Sequence, residues 1–100
     1  MMSFERISIE RSKEIIDQGE TIVVDIRDTD SFETGHIKNA IQLDNSIVGK
    51  FVQTADKSKP LLIYCYHGNS SQGAADFFAQ QGFQLVYSMD GGFEEWRMKY

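Results

Sequence analysis

The chain contains one cysteine, and its neighbours are those of a reactive thiol. Cys65 ends the apolar run Leu61-Leu62-Ile63-Tyr64, which Pro60 introduces, and the polar loop Tyr66-His67-Gly68-Asn69-Ser70-Ser71 follows it. Gly73-Ala74-Ala75-Asp76-Phe77-Phe78-Ala79 then reads as a helix. A short apolar run opened by proline predicts a buried strand. The thiol is therefore expected at the carboxyl end of a strand, facing a turn into a helix. There, open α/β sheets bind ligands and backbone amides converge on an anion. Gly68 lets successive N–H groups turn inward as an anion-binding nest, and Ser70 or Ser71 can cap the helix. Hydrogen bonds to the charged form and a helix N-terminus both lower a thiol pKa, which makes Cys65 partly thiolate and nucleophilic. A lone cysteine is more often a small buried hydrophobe. Its place at the strand end, the glycine and the small polar residues favour the reactive reading.

The bulk properties bound what such a thiol could serve. One hundred residues make a single domain, 1–100, with one core. A hydrophobic share of 41% and a charged share of 25% argue against disorder. The net charge of −5 comes with no basic stripe, which excludes nucleic acid as a partner. No apolar run approaches the roughly 18 residues of a membrane helix. The start, Met1-Met2-Ser3-Phe4-Glu5-Arg6, lacks the basic and apolar regions of a secretory signal, so a cytoplasmic location is expected. One cysteine permits neither an intrachain disulfide nor a Cys-x-x-Cys pair. Whatever Cys65 carries must leave to a group outside the chain. No coiled coil or exposed apolar face is legible, which leaves a monomer or a weak homodimer.

Alternating strands and helices must position the thiol. Phe4–Ile7 reads as a short edge strand. Ser8 caps a helix to about Gln18, with Gly19 as terminator. Thr21–Ile26 is β-branched and nearly all apolar, as a central parallel strand should be. Asp28–Gly35 reads as a brief capped helical turn, Ala40–Leu43 as a third strand, and Asn45 or Ser46 opens a helix through about Gln53. After the Pro60–Cys65 strand come a helix ending near Gly82, the strand Leu85–Ser88 and a closing helix Gly92–Arg97. Short connections between alternating elements imply an α/β fold in three layers. Its mainly parallel sheet has about five strands and helices on both faces.

Outside the loop, Asp25 and Arg27 follow a central strand. They are read as a local ion pair or turn cap, with Arg27 supplying positive potential near the loop as the functional alternative. His36 reads as a structural hydrogen-bonding residue at a helix end. Asp90-Gly91-Gly92 should sit beside the cysteine loop, its glycines permitting close packing. Phe93 and Trp96 read as core or pocket wall, and Tyr66 as lining the mouth of the site. Cys65, His67 and His36 lack the recurrent spacing of a tetrahedral metal set, so no metal is expected.

The loop Cys65-Tyr66-His67-Gly68-Asn69-Ser70-Ser71 resembles the active-site loop of the rhodaneses, in particular their single-domain bacterial members. Val24-Asp25-Ile26-Arg27-Asp28 with Ser31-Phe32 and Gly35-His36-Ile37 resembles the family's amino-terminal signature, and Val86–Trp96 its carboxyl-terminal one. The resemblance implies a rhodanese-like fold and sulfur transfer without cofactor. Cys65 would take the outer sulfur of thiosulfate or another sulfane-sulfur donor and pass it to cyanide or a thiol acceptor, a small redox protein among them. By the same resemblance, Tyr66, His67, Gly68, Asn69, Ser70 and Ser71 would bind substrate. Many family loops place arginine directly after the cysteine and a second basic residue near the loop end. Here Tyr66 and Ser71 stand there, so amides, hydroxyls and His67 would hold the sulfonate, and weakly.

Two other classes share parts of this pattern. A cysteine phosphatase or arsenate reductase needs arginine six positions after the cysteine, and that position is Ser71. A rhodanese-like module that only binds a partner or senses anions would typically lose the cysteine, which this chain keeps; a sulfur-relay module without efficient thiosulfate turnover is the other alternative.

Overall fold

The computed structural model describes residues 4–100, so Met1–Ser3 of the amino-terminal stretch lie outside it. Strands and helices alternate throughout: β1 (Glu5–Ile7), α1 (Ile9–Asp17), β2 (Ile22–Asp25), α2 (Thr29–Thr34), β3 (Ile41–Gln42), α3 (Val48–Thr54), β4 (Leu61–Tyr64), α4 (Ser70–Gln80), β5 (Val86–Met89) and α5 (Gly92–Lys99). The five strands form one sheet in the order β1-β5-β4-β2-β3, and every pairing is parallel. The expected three-layer α/β architecture is the one observed, with β1 at an edge.

β4 lies at the centre, and all four of its residues are fully buried. Because successive strand side chains point to opposite faces, Leu61 and Ile63 enter one core and Leu62 and Tyr64 the other. The first core adds Val24 and Val86 from the sheet and Ala75, Phe78 and Phe83 around α4, with Phe51 of α3 against them. The second adds Val23, Tyr87 and Met89, covered by Ile9 and Ile15 of α1 and Trp96 of α5. Burial on both faces is why the strands are apolar throughout rather than alternating.

Local signals place most boundaries. Ser8 accepts a hydrogen bond from the Arg11 amide at 3.1 Å and opens α1, and Asp28 accepts one from the Ser31 amide at 2.8 Å and opens α2. Two expectations shift. β3 is only two residues long, and α3 begins at Val48 rather than at Asn45 or Ser46. The cause is Asp44, whose carboxylate accepts from both the amide and the hydroxyl of Ser46 at 2.8 and 2.5 Å. That local turn competes with a helical start and delays it.

A parallel sheet brings the carboxyl ends of its strands to one edge. Cys65 leaves β4, Arg27 and Asp28 follow β2, and Asp90 and Gly91 follow β5. Since β2 and β5 are the two neighbours of β4, these three crossovers meet around the thiol.

Candidate active site

The loop wraps the sulfur with donors. The amides of Gly68 and Ser71 donate to Cys65 Sγ at 3.2 and 3.3 Å, and Ser71 Oγ lies 3.4 Å away. Cys65 is only 4% exposed. Burial pushes its thiol up, but the Ser71 hydroxyl and the amides of Ser71, Gly68 and His67 outweigh burial and hold it below its ordinary value. Each hydrogen bond to a charged acceptor contributes roughly 1.5–3 kcal/mol, so a few suffice against desolvation without a formal cation. The expected activation is present, carried by hydrogen bonds.

One detail corrects the sequence reading. Neither Ser70 nor Ser71 caps the helix. Asn69 occupies the N-cap position of α4 in helical backbone geometry, and its side chain makes no capping bond. The sulfur takes that role, accepting the amide of Ser71 in the first turn. A helix whose opening donor points at the thiol needs no polar cap of its own, and the positive end of the helix faces the charge.

Amides can point inward only if the neighbouring carbonyls are satisfied elsewhere. The carbonyl of Cys65 accepts from the Phe93 amide at 2.9 Å, and that of Tyr66 from the Glu94 amide at 3.1 Å. The first turn of α5 thus spends its free donors on the cysteine loop. Gln72 Nε2 holds the Gly68 carbonyl at 2.9 Å. This docking requires bare backbone. At Gly92, with φ +63°, a Cβ would lie 2.3 Å from the Tyr66 oxygen, and at Gly68, with φ +91°, 2.9 Å from the Gly91 nitrogen. The expected close packing of the Asp90–Gly92 turn on the loop is borne out.

Asp25 and Arg27 form the anticipated ion pair, both buried. Arg27 Nε and Nη2 donate to the carboxylate at 3.1 and 2.7 Å, and Nη2 also reaches the Gly35 carbonyl at 2.7 Å. Burial alone would lower the Arg27 pKa, but Asp25 outweighs it and keeps the guanidinium charged. That charge sits 4.2 Å from the Phe93 ring centroid, so Phe93 is a wall of the site as expected. His36 binds the Phe32 carbonyl through Nδ1 at 2.7 Å and stacks on the Phe32 ring, the structural role expected of it.

Tyr66 leans across the loop edge. Its hydroxyl donates to Asp28 and lies 2.9 Å from Ser31 Oγ. Those bonds, Tyr66 foremost, hold the Asp28 carboxyl down at about 2. A cavity of about 580 Å³ lies beside it, lined by Ser31, Gly35, Tyr66, Phe93 and Arg97, and a second of about 670 Å³ is lined by Ile26, Asp28, Leu43, Val48 and Phe77. Arg27 borders both, while Cys65 lines neither because the loop covers its sulfur. His67, Asn69 and Ser70 are exposed, and their side chains make no hydrogen bond among the described residues.

Sequence reading passed over three supporting residues. Ser88 of β5 bonds Ser71 Oγ at 2.8 Å, Gln72 secures the loop, and the Tyr64 hydroxyl accepts from the Ile37 amide at 3.1 Å. Tyr64 stays a neutral phenol because burial, and then Asp25, push its pKa far up. Only Ser88 carried a signal, as a small polar residue in a buried strand.

Two outcomes follow from this geometry. Gly92→Ala should cost at least about 2 kcal/mol in urea unfolding, from backbone strain at positive φ and displacement of the loop, and should slow alkylation of Cys65. Tyr66→Phe removes the strongest donor to Asp28, so an NMR titration should find that carboxyl moved up from about 2 towards an ordinary aspartate.

Comparison with known proteins agrees with this arrangement. The family model described as a rhodanese-like domain matches residues 8–99. The chain is 48% identical over 100 residues to the thiosulfate sulfurtransferase GlpE of Pseudomonas syringae pv. syringae, covering all of this chain and 93% of the relative. It is 51% identical over 98 residues to the GlpE of Pseudomonas aeruginosa, covering 98% of this chain and 88% of the relative. Among solved structures, a rhodanese-related protein from Thermoplasma volcanium superposes with a TM-score of 0.81 at 26% identity, covering 96% of this chain and 93% of that one. The chain belongs to the rhodanese family.

Proposed function

We infer that this protein is a thiosulfate sulfurtransferase working through a persulfide on Cys65. The observation that carries the reading is a sulfur held by the amides of Gly68 and Ser71 in a loop that lowers its pKa. The names of the GlpE relatives support it.

The Cys65 thiolate attacks the outer sulfur of thiosulfate. A new sulfur–sulfur bond forms, the old one breaks, and sulfite leaves with its bonding pair. The acceptor then attacks the outer sulfur of the persulfide and Cys65 departs as thiolate. Cyanide leaves as thiocyanate, and a thiol leaves as its own persulfide. Two displacements at one sulfur give ping-pong kinetics. The second leaving event returns negative charge to the Cys65 sulfur, and preorganised backbone dipoles are what lowers that cost. The amides of Asn69 and Ser70 donate to no protein acceptor among the described residues, and they are the free donors offered to substrate. Tyr66 and His67 border the approach, His67 as the loop's one side chain able to become positive, and Ser71 holds the inner sulfur.

Among the described residues no helix is long and apolar enough to cross a membrane. With a net charge of −5, the protein gives an anionic donor no long-range attraction, so capture depends on the loop. The setting is the bacterial cytoplasm, the protein acts as a monomer or weak homodimer, and the acceptor is a thiol on a small molecule or small redox protein.

Intact-mass measurement after incubation with thiosulfate should show one added sulfur, lost on adding cyanide. Cys65→Ser should gain none and should abolish turnover while keeping the fold. A wild-type protein that stays at its original mass would mark an anion-binding module instead. The alkylation rate should rise with pH through a midpoint below the roughly 8.5 of a free thiol. Because the folded pKa is the lower one, the thiolate's contribution to stability is complete above the unfolded value and disappears as pH falls through the folded value. Thermal unfolding of wild type and Cys65→Ala at several pH values should show that divergence.

A further inference from the structure

Strand β5 runs Val86-Tyr87-Ser88-Met89 through the core, and Ser88 is fully buried there. Val is the strand's opening residue and Met its closing one, so a serine between them sacrifices apolar contact. Its hydroxyl has one hydrogen-bond partner among the described residues, Ser71 Oγ at 2.8 Å. Ser71 is also fully buried, and its Oγ lies 3.4 Å from Cys65 Sγ. A line of sulfur, oxygen and oxygen thus runs from the reactive atom into the middle of the fold. Ser88 pairs in register with Ile63, on the strand that leads into Cys65.

We propose that Ser88 is a positioning residue for Cys65, acting through Ser71 to aim a hydroxyl proton at the ionised sulfur. This deepens the sulfurtransferase reading and rests on it for its biological meaning.

Two bonds in series have a direction. With Cys65 as a thiol, the weak S–H donor heads the chain and Ser71 turns its proton to Ser88. With Cys65 as a thiolate, both bonds reverse: Ser88 donates to Ser71, and Ser71 donates to the sulfur. A hydroxyl whose oxygen already accepts a bond is the stronger donor, and here both dipoles align on the charge. The neutral chain gains less, since S–H polarises its neighbour weakly. Ser88 therefore favours the ionised form, and it also holds the Ser71 side chain in the rotamer that faces the sulfur. No proton leaves the pair of serines; each hydroxyl only turns.

The charged and titratable groups bordering the loop are Tyr66 and His67 within it, Tyr64 before it, the Asp25–Arg27 pair and Asp28 beyond β2, Asp90 after β5 with its partner Arg6, and Glu94, Glu95 and Arg97 on α5. All of them stay the same when either serine is replaced, so a shift between variants belongs to the hydroxyls.

The test reads the pH dependence of Cys65 alkylation by iodoacetamide, without thiosulfate, in wild type, Ser71→Ala, Ser88→Ala and the double variant. Losing a charge-assisted bond predicts that Ser71→Ala raises the midpoint by about one pH unit. Ser88→Ala should raise it by roughly a tenth to a third of that, and the double variant should match Ser71→Ala alone. A Ser88→Ala protein that loses thermal stability but keeps the wild-type midpoint overturns the proposal, as does a Ser88 effect that survives in the Ser71→Ala background. A second measurement needs no Ser88 variant. In the unaltered protein the Ser88 Cβ resonance should titrate with the Cys65 midpoint, and the response should vanish in Ser71→Ala; a flat Ser88 resonance in wild type also overturns it. Mass measurement with thiosulfate is separate, so a failed relay and a failed sulfur transfer are told apart.

Discussion

A peptide group has two ends, and a loop that turns its amides towards a charge must find donors for its carbonyls. In this protein that need is met by the first turn of α5, whose Phe93 and Glu94 amides bind the carbonyls of Cys65 and Tyr66. Without those two bonds the loop would have little reason to keep its N–H groups on the sulfur. The dependence runs further, because α5 reaches the loop only where Gly92 and Gly68 leave the backbone bare. The chemistry of β4 is thus held in place from β5, its neighbour in the sheet.

Positive potential at the site comes mainly from dipoles. Arg27 is close, but Asp25 neutralises it, and the loop itself holds no permanent cation. Partial charges from amides and a helix end are fixed in space and carry no long side chain that must be ordered. They would also suit the proposed persulfide, in which charge passes from the inner sulfur of Cys65 to an outer one. A guanidinium fork of the kind that grips phosphoryl oxygens would favour a tetrahedral anion over a sulfur atom.

Much of this was legible in the chain. The strand at Leu61–Tyr64 is announced by proline and four apolar residues, the turn by Gly68, and the parallel sheet by the even alternation of elements. Ser8 and Asp28 cap helices because a side-chain oxygen before a helix has one local use. The errors have a common cause. At Ser70 and Ser71 the rule for caps was applied to a helix in which the Ser71 amide is already taken by sulfur, an atom outside the local capping pattern. At Asn45 a turn competed with the helix. Ser88 was not found, since its role depends on which strands become neighbours, and no short-range periodicity encodes that; Gln72 reaches back only four residues to Gly68, but its residue type alone does not announce that bond.

The sulfur proposed to react is also the atom that caps the start of α4. Ordinary caps are inert, and a helix end built on them is indifferent to metabolism. On the proposed mechanism, each sulfur delivered or removed would change the chemical identity of the group that receives the Ser71 amide in the first turn of the helix. The covalent state of one side chain would therefore be felt at the start of an eleven-residue helix that forms a wall of the first core. On the proposed persulfide mechanism, the loaded and empty forms would finish the start of α4 differently, beside the exposed residues Asn69 and Ser70.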